Sequence, residues 1–561
     1  DRIPNEYLKY LPDEGLDFIL KLFNLVLQKE ETPSSWSNTN MFAIFKKGDP
    51  LLPENYRGIS LLNSITKLFT QILHNRITNW TEFCNPLSEV QSGFRSGRGC
   101  LDNIFILHSI INLHLRKKRG KLYCGFVDFK KAFDTINHKL LWNKLYEFGI
   151  SRKIIKILEN LYSKATVSIK INNHFSDPIK INRGVLQGDV LSPKLFSIFI
   201  NNLDNFLEEN NCREVSINNK YGIRCLLYAD DLILLADTPI ELQKKLNALH
   251  KYTITNGLEV NVEKTKIMIF SKGGKRSQKI KFFYNKQRLD IVSNFNYLGI
   301  LFSSSGLFSR ASVDMINKST AAASKVIGIL SKSNNSSWET KDKLFESLVR
   351  SVLVYGAEVW SLRYLEQIET VLSKYFKYIF HWSSSTPKHF IRCELGKHRI
   401  SYIVFKLALQ WYVKILNMPA NRLPRICLER QLDLVENSND QIYNWAIQLK
   451  QLFILAEHDW LWMNRDPHIV QSNIKNMLDT YESKLFSEDW ERIKNSSYNP
   501  IYFSLKSVLG IEEYFYFKVP IKVTRLISRL RLMHTRYISF FIAKVNYKWD
   551  AEDTCHYCNL N

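Results

Sequence analysis

Two adjacent aspartates, Asp230 and Asp231, interrupt the apolar run of residues 226–236 (LLYADDLILLA). Neighbouring residues of a strand point to opposite faces, so an Asp-Asp pair in such a run makes sense only at a hairpin tip. The plain alternative is an ordinary Asp-rich turn. A turn between arms this apolar would normally carry Asn-Gly or Asp-Gly, and a dicarboxylate anchored there is costly unless it binds a cation. A third carboxylate lies upstream: residues 124–134 read CGFVDFKKAFD and put Asp128 at the exit of an apolar strand. Three carboxylates from two neighbouring strands can hold two Mg²⁺ ions about 4 Å apart, one activating a hydroxyl and the other holding a nucleoside triphosphate.

The rest of the composition narrows the partner. The chain has 561 residues, of which 45% are hydrophobic, enough for a sizeable core and for roughly three to four domains. Its net charge of +23 points to a polyanion, either nucleic acid or an anionic membrane surface. Nine cysteines in this length do not make a disulfide framework, and only Cys555 and Cys558 form a CxxC. There is no signal peptide and no apolar run of the ~18 residues a membrane span needs. These features imply a reducing compartment, nuclear or cytoplasmic, and no membrane partner. The first residue is Asp1 rather than Met, so the chain reads as a piece of a longer polypeptide.

Periodicity predicts a helix over 13–29, a short strand over 41–45, a helix over 59–77 and a helix from Asp102 to about Leu115. A basic glycine loop, 93–99 (GFRSGRG), precedes that last helix. Residues 122–129 read as a strand, followed by a helical stretch reaching Leu145. Residues 167–171 and 179–181 look like paired strands, and 224–236 like strand, tight turn, strand. Ser192-Pro193 predicts a helix start with Ser192 as the cap. From about Ser309 the pattern is helical to the end, with linkers expected at 331–337 and 383–387.

Several stretches, in order, carry a family resemblance: FKKGDP…NYRGISLLNSITKLF (45–69), QSGFRSGRGCLDNI (91–104), GFVDFKKAFDTINH (125–138), RGVLQGDVLSP (183–193), YADD (228–231), GLEVNVEKTK (257–266) and FNYLGILF (295–302). Together they resemble the reverse transcriptase region of non-LTR (LINE-type) retrotransposons. The resemblance implies an α+β right-hand polymerase with fingers, a palm whose antiparallel sheet carries the aspartates, a helical thumb and a mostly helical C-terminal region. The expected boundaries are 1–122 for the N-terminal extension and fingers, 123–304 for the palm, 305–420 for the thumb and 421–561 for the C-terminal region. It implies RNA-directed DNA polymerase activity, with dNTPs, an RNA template and a DNA primer or target as partners. Two Mg²⁺ ions, with Mn²⁺ as a substitute, are the implied cofactors.

Residue by residue, Asp128 and Asp230 match the metal-binding aspartates, with Asp231 supporting. Phe133 matches the aromatic gate beneath the sugar 2′ position; the alternative is a core Phe. Gln187 and Gly188 match the loop beneath the incoming nucleotide, while Asp189 and Val190 fall at variable positions and receive no role. Arg57 and either Lys46 or Lys47 match the fingers residues that grip the triphosphate. Lys264 matches a lysine that can protonate the leaving pyrophosphate. Arg95 and Arg98 are expected on template phosphates. Tyr297, Leu298 and Gly299 fall in the segment resembling the primer grip.

The C-terminal half offers less. LVRSVLVYGAEVW (348–360) is similar to a thumb segment of the family. Lys522, Arg525, Arg529 and Arg536 recur beside Leu526, Leu530 and Met533, which fits a solvated amphipathic helix as well as an RNA-binding one. Cys555 and Cys558 supply half of a zinc site, so Zn²⁺ is expected only if the chain continues; no endonuclease is expected within these residues. The rival readings are a group II intron or other mobile-element reverse transcriptase, and a domesticated RNA-binding relative without catalysis. Intact Asp128, Asp230 and Asp231 argue against the last.

Overall fold

The computed structural model describes residues 5–84, 87–171, 174–274, 280–333, 337–436, 442–506, 510–533, 537–542 and 545–550. The chain forms two compact units, one of residues 1–107 and 117–295, the other of residues 108–116 and 296–561.

The first unit is built on a six-stranded sheet. In spatial order its strands are Phe282–Tyr284, Gln287–Val292, Lys266–Ser271, Lys121–Val127, Asp231–Ala236 and Cys225–Tyr228. All neighbours are antiparallel except Lys266–Ser271 with Gln287–Val292, which run parallel. The strand Lys121–Val127 is central and buried along its length after Lys121, which is why it reads as a continuous apolar run rather than an alternation. The helix Pro239–Asn256 packs against the strands Lys121–Val127 and Asp231–Ala236, and Phe295 stacks on Phe126 with centroids 4.3 Å apart. Each fully buried aliphatic side chain in such a core contributes about 1.5–3 kcal/mol.

A second sheet has the order Tyr56–Leu61, Asn38–Phe45, Thr166–Ile171, His174–Phe175, with Ile179–Lys180 also paired to Thr166–Ile171. This corrects the helix expected over 59–77. Residues 56–61 pair in register with 40–45, and the helix Ser64–Cys84 begins only after Asn63 Oδ1 accepts from Thr66 N at 2.7 Å. The helical stretch expected from Phe129 to Leu145 is also shorter. Residues 129–137 are mostly turns, with Lys131 at positive φ, and the helix His138–Phe148 starts at the cap Asn137. Ser192 is not a cap either: its hydroxyl bonds back to Leu186 O at 2.8 Å, while Pro193 stands in the first turn of the helix Ser192–Ile200.

The loop of Gln187 and Gly188 packs on the second sheet at Ser60. Ser60 N donates to Gln187 O at 2.6 Å. A Cβ on Gly188 would stand 2.2 Å from Ser60 O, and its φ is +128°. Both conditions exclude a side chain.

The second unit is mainly helical. It opens on the hairpin Asn294–Tyr297 and Ile300–Ser303, followed by the long helix Ser309–Lys332. Buried ion pairs tie its later helices: Asp489 accepts from Arg392 and Arg399, and Glu394 from Arg531, Tyr502 and Tyr514. The helix Ile521–Arg531 reverses the expected amphipathic reading. Leu526 and Leu530 are exposed, whereas Thr524 and Ser528 are buried because Ser528 Oγ accepts from Trp382 Nε1 at 2.9 Å. Arg525 donates to Ile379 O at 2.8 Å. Arg536, Cys555 and Cys558 lie outside the described residues. Among the described residues no helix is long and apolar enough to cross a membrane.

The Gly188 contact leads to the first prediction. Gly188→Ala forces a clash with Ser60 and a strained φ, and should destabilise the first unit by about 2 kcal/mol or more. Thermal or urea unfolding checks it; wild-type stability would mean the loop moves away freely.

Candidate active site

Strand geometry assembles the carboxylates. Asp231 opposes Tyr228 in the antiparallel pair, so Ala229 and Asp230 form a two-residue hairpin tip. Leu232, on the same strand, opposes Val127, so Asp128, the next residue after Val127, lies at the hairpin end of the sheet. The sequence places a tight turn here, and the structure has it.

Asp128 is tethered on both backbone atoms. Its N–H donates to Thr265 Oγ1 at 3.2 Å, and its carbonyl accepts from Asn261 N at 2.7 Å. The same loop carries Lys264, whose Nζ stands 3.8 Å from Asp128 Oδ2 with the side chain 68% exposed.

The carboxylates disturb one another. Burial pushes Asp230 up, the negative charge of Asp128 adds to this, and Arg57 and Lys46 partly offset it. Asp231 rises to about 6 through burial and the charges of Asp230 and Asp128. Lys46 thus acts on this site together with Arg57. The same two cations also draw down Asp134.

A fourth carboxylate went unnoticed in the sequence. Asp134 Oδ1 accepts from Gln187 Nε2 at 2.6 Å. Burial raises Asp134, while Gln187, Lys131, Lys46 and Arg57 draw it down. Gly184 packs on the Asp134 backbone, where a Cβ would lie 2.7 Å from Asp134 O. Residues 125–138 and the loop of Gly184 to Gly188 are therefore held together. Phe133, beside it, stacks on buried Phe196 at 4.6 Å and meets Phe94 edge-on at 6.4 Å. It keeps partial exposure, so one side of the ring is core and the rest is open. Asp189, given no role in the sequence, is buried and accepts from Thr70 Oγ1 at 2.7 Å, anchoring the loop that carries Gln187 and Gly188 to the helix Ser64–Cys84.

Two expectations are corrected. Arg95 is buried and donates to the carbonyls of Leu87, Ser88 and Gln91, and Arg98 pairs with Glu89 at 2.6 Å with its side chain 5% exposed. Both guanidiniums fold the glycine loop instead of facing a template. Their spacing resembles a phosphate cradle, but a glycine-rich loop has few side chains of its own to fill its interior, and the arginines do so. In the second unit Tyr297 is also buried, with its ring 6.3 Å from that of Phe302. Only Leu298 and Gly299 reach the hairpin tip, where Tyr355 Oη donates to Leu298 O at 3.1 Å and Lys318 Nζ to Gly299 O at 3.3 Å.

The donor set fits a hard divalent cation: it is all oxygen, and its mutual repulsion is what a cation relieves. Asp128, Asp230 and Asp231 are the residues that could hold one. Among the described residues no three His, Cys, Asp or Glu side chains are gathered into a formed metal cage, so the ligands stand as adjacent charges, with Asp128 turned to Lys264.

One end of the sheet thus gathers three aspartates, with Lys46 and Arg57 acting electrostatically on Asp230. Residues 44–302 match the family described as reverse transcriptase (RNA-dependent DNA polymerase). The chain is 24% identical over 445 residues to the RNA-directed DNA polymerase from mobile element jockey of Drosophila funebris, covering 77% of this chain and 47% of that protein. It is 29% identical over 289 residues to the Pol polyprotein of a type-1 R2 retrotransposable element of Popillia japonica, covering 50% of this chain and 40% of that one. The chain thus spans about half the length, or less, of these relatives. Among solved structures it is similar to apo telomerase from Candida tropicalis, with a TM-score of 0.38, 11% identity, and coverage of 76% of this chain and 73% of that one. The mixture of helices and sheet expected from the sequence is present, and the aspartates lie at one end of a largely antiparallel sheet in the first unit. Divalent-metal dependence is general to this family.

The raised Asp231 carboxyl has a pH signature. Its value in the fold, about 6, lies above its ordinary 3.8, so the folded state holds the extra proton between those values. Stability therefore falls as pH rises through that window and is level above it. Without divalent ions, Asp231→Asn should melt higher than wild type at pH 7–8, and the gap should close at pH 4 or below. Melting curves across that range check it; a gap independent of pH would contradict it.

Proposed function

We propose that this chain carries the RNA-directed DNA polymerase of a non-LTR retrotransposon, extending a DNA primer along an RNA template from dNTPs, in support of target-primed retrotransposition. The observation that carries this reading is the meeting of Asp128 with the Asp230–Asp231 hairpin under the charges of Lys46 and Arg57. The names of the jockey and R2 relatives favour it over a group II intron type or a non-catalytic RNA-binding relative.

Asp128, Asp230 and Asp231 would hold two Mg²⁺ ions, replaceable by Mn²⁺, which supply Lewis-acid activation of the primer 3′-hydroxyl and charge neutralisation at the triphosphate. Lys46 and Arg57 bind the triphosphate oxygens. Lys264, exposed and beside Asp128, can deliver a proton to the departing pyrophosphate. Gln187 and Gly188, fixed by Asp134 and Ser60, form the floor under the nucleotide. Phe133 offers its open side to the sugar, where a 2′-hydroxyl would clash. In the second unit, Leu298 and Gly299 meet the primer backbone from their hairpin tip.

Primer extension on an RNA template with dNTPs and Mg²⁺ tests this directly. Asp128→Asn and Asp230→Asn should each lose about a hundredfold or more in rate, since each removes a negative charge that would hold the cations neutralising the transition state, worth ~3 kcal/mol or more. Near wild-type extension by both variants would overturn the site.

Sugar selection gives a separate check. Phe133→Val should raise rNTP use relative to dNTP by removing a clash. Single-nucleotide incorporation with both substrates measures it. An unchanged ratio with a lowered melting temperature would make Phe133 a core residue of the Phe196 cluster, where large-to-small changes cost a few kcal/mol.

A further inference from the structure

The hairpin that presents Asp230 is held from one side by a segment with no assigned role in catalysis. Residues 90–93 run along the outer edge of the strand Cys225–Tyr228: Leu227 N donates to Val90 O at 2.9 Å, and Ser92 N to Leu227 O at 3.0 Å. Asn103 Nδ2 adds a bond to the same Leu227 carbonyl at 3.0 Å. Between these contacts lies Gln91, with no exposed surface. Its Oε1 accepts from Gly93 N at 2.8 Å and from Ala229 N at 3.2 Å. Gly93 is pressed so closely on the tip that a Cβ would stand 2.2 Å from Ala229 N.

Ala229 needs that hold. It sits at the first tip position with φ +57°, a place where hairpins favour glycine. For an L-residue with a side chain this conformation is strained. Ala229 is buried, so an unmet N–H there would add a desolvation penalty. One acceptor atom meets that N–H and keeps the left-handed turn, and the next residue along the chain is Asp230.

We propose that Gln91 is a positioning residue for the catalytic carboxylates: by clasping Ala229 N and Gly93 N with one oxygen, it locks the left-handed hairpin tip that aims Asp230 toward Asp128. The inference rests on the reading of Asp230 as a cation-binding group. The same contacts give the GFRSGRG segment a purpose, since Arg95 holds Leu87, Ser88 and Gln91 in place behind the clasp.

The test uses Gln91→Met, which lacks the acceptor, and Gln91→Asn, which keeps a buried amide but is one methylene too short to reach Ala229. The first readout is the rise in melting temperature of the full chain on adding Mg²⁺ alone; the second is the Mg²⁺ concentration giving half-maximal primer extension. Both variants should lose most of the Mg²⁺-induced rise and need at least fivefold more Mg²⁺. Ala229→Gly, which adopts the left-handed turn without strain, should restore much of the Mg²⁺ response when combined with Gln91→Met.

A lower melting temperature with a Mg²⁺ response like that of wild type would make Gln91 a purely structural residue and overturn the proposal. Failure of Ala229→Gly to rescue would do the same, as would a wild type whose melting ignores Mg²⁺. A wild type that responds to Mg²⁺ in melting but extends no primer would overturn the polymerase reading instead, leaving Gln91 to be judged on the melting data.

Discussion

The central strand Lys121–Val127 is the element on which the candidate site depends. It pairs with Asp231–Ala236 on one side and Lys266–Ser271 on the other. Both neighbours are antiparallel to it, so the far end of the central strand, the hairpin tip and the loop before Lys266 lie at the same end of the sheet. Antiparallel pairing thus brings Asp128, Asp230 and Lys264 to one end of the sheet. Burial opposes a slip, because moving either strand by a residue would bring its charged end, Lys121 or Asp231, toward positions that are buried along both strands. The hydrophobic core thus holds three carboxylates at a separation their own charges oppose.

That opposition is visible in the raised Asp230 and Asp231. Lys46 and Arg57, from the second sheet of the same unit, offset part of it for Asp230. The loop of Gln187 and Gly188 touches the second sheet at Ser60, and Gln187 is held by Asp134 from the turn that follows the central strand. The loop of Gln187 and Gly188 is therefore held from both sides, as precise positioning of the groups proposed to bind nucleotide and cation requires.

Much of this was legible in the sequence. The apolar arms around Asp230 and Asp231 dictate a hairpin, and the run ending at Asp128 dictates a buried strand. The errors have physical causes. Residues 56–61 follow a helix-compatible pattern, yet pairing with 40–45 made them a strand. Arg95 and Arg98 look like surface cations, and only tertiary contact reveals that backbone carbonyls and Glu89 absorb them. Tyr297 shares a motif with an exposed tip, but strand alternation turns its ring inward. Asp134, Asp189 and Gln91 were unreadable as site residues because their partners, Gln187, Thr70 and Ala229, lie 53, 119 and 138 positions away.

The measurement that bears most directly on the account is the position of Mn²⁺, located by anomalous scattering in crystals of the chain with an RNA template, a dideoxy-terminated DNA primer and the next dNTP. The account predicts scattering peaks coordinated by Asp128 and Asp230, beside the triphosphate. Bound primer and nucleotide with no peak at those carboxylates, or with the ions held by other side chains, would contradict it.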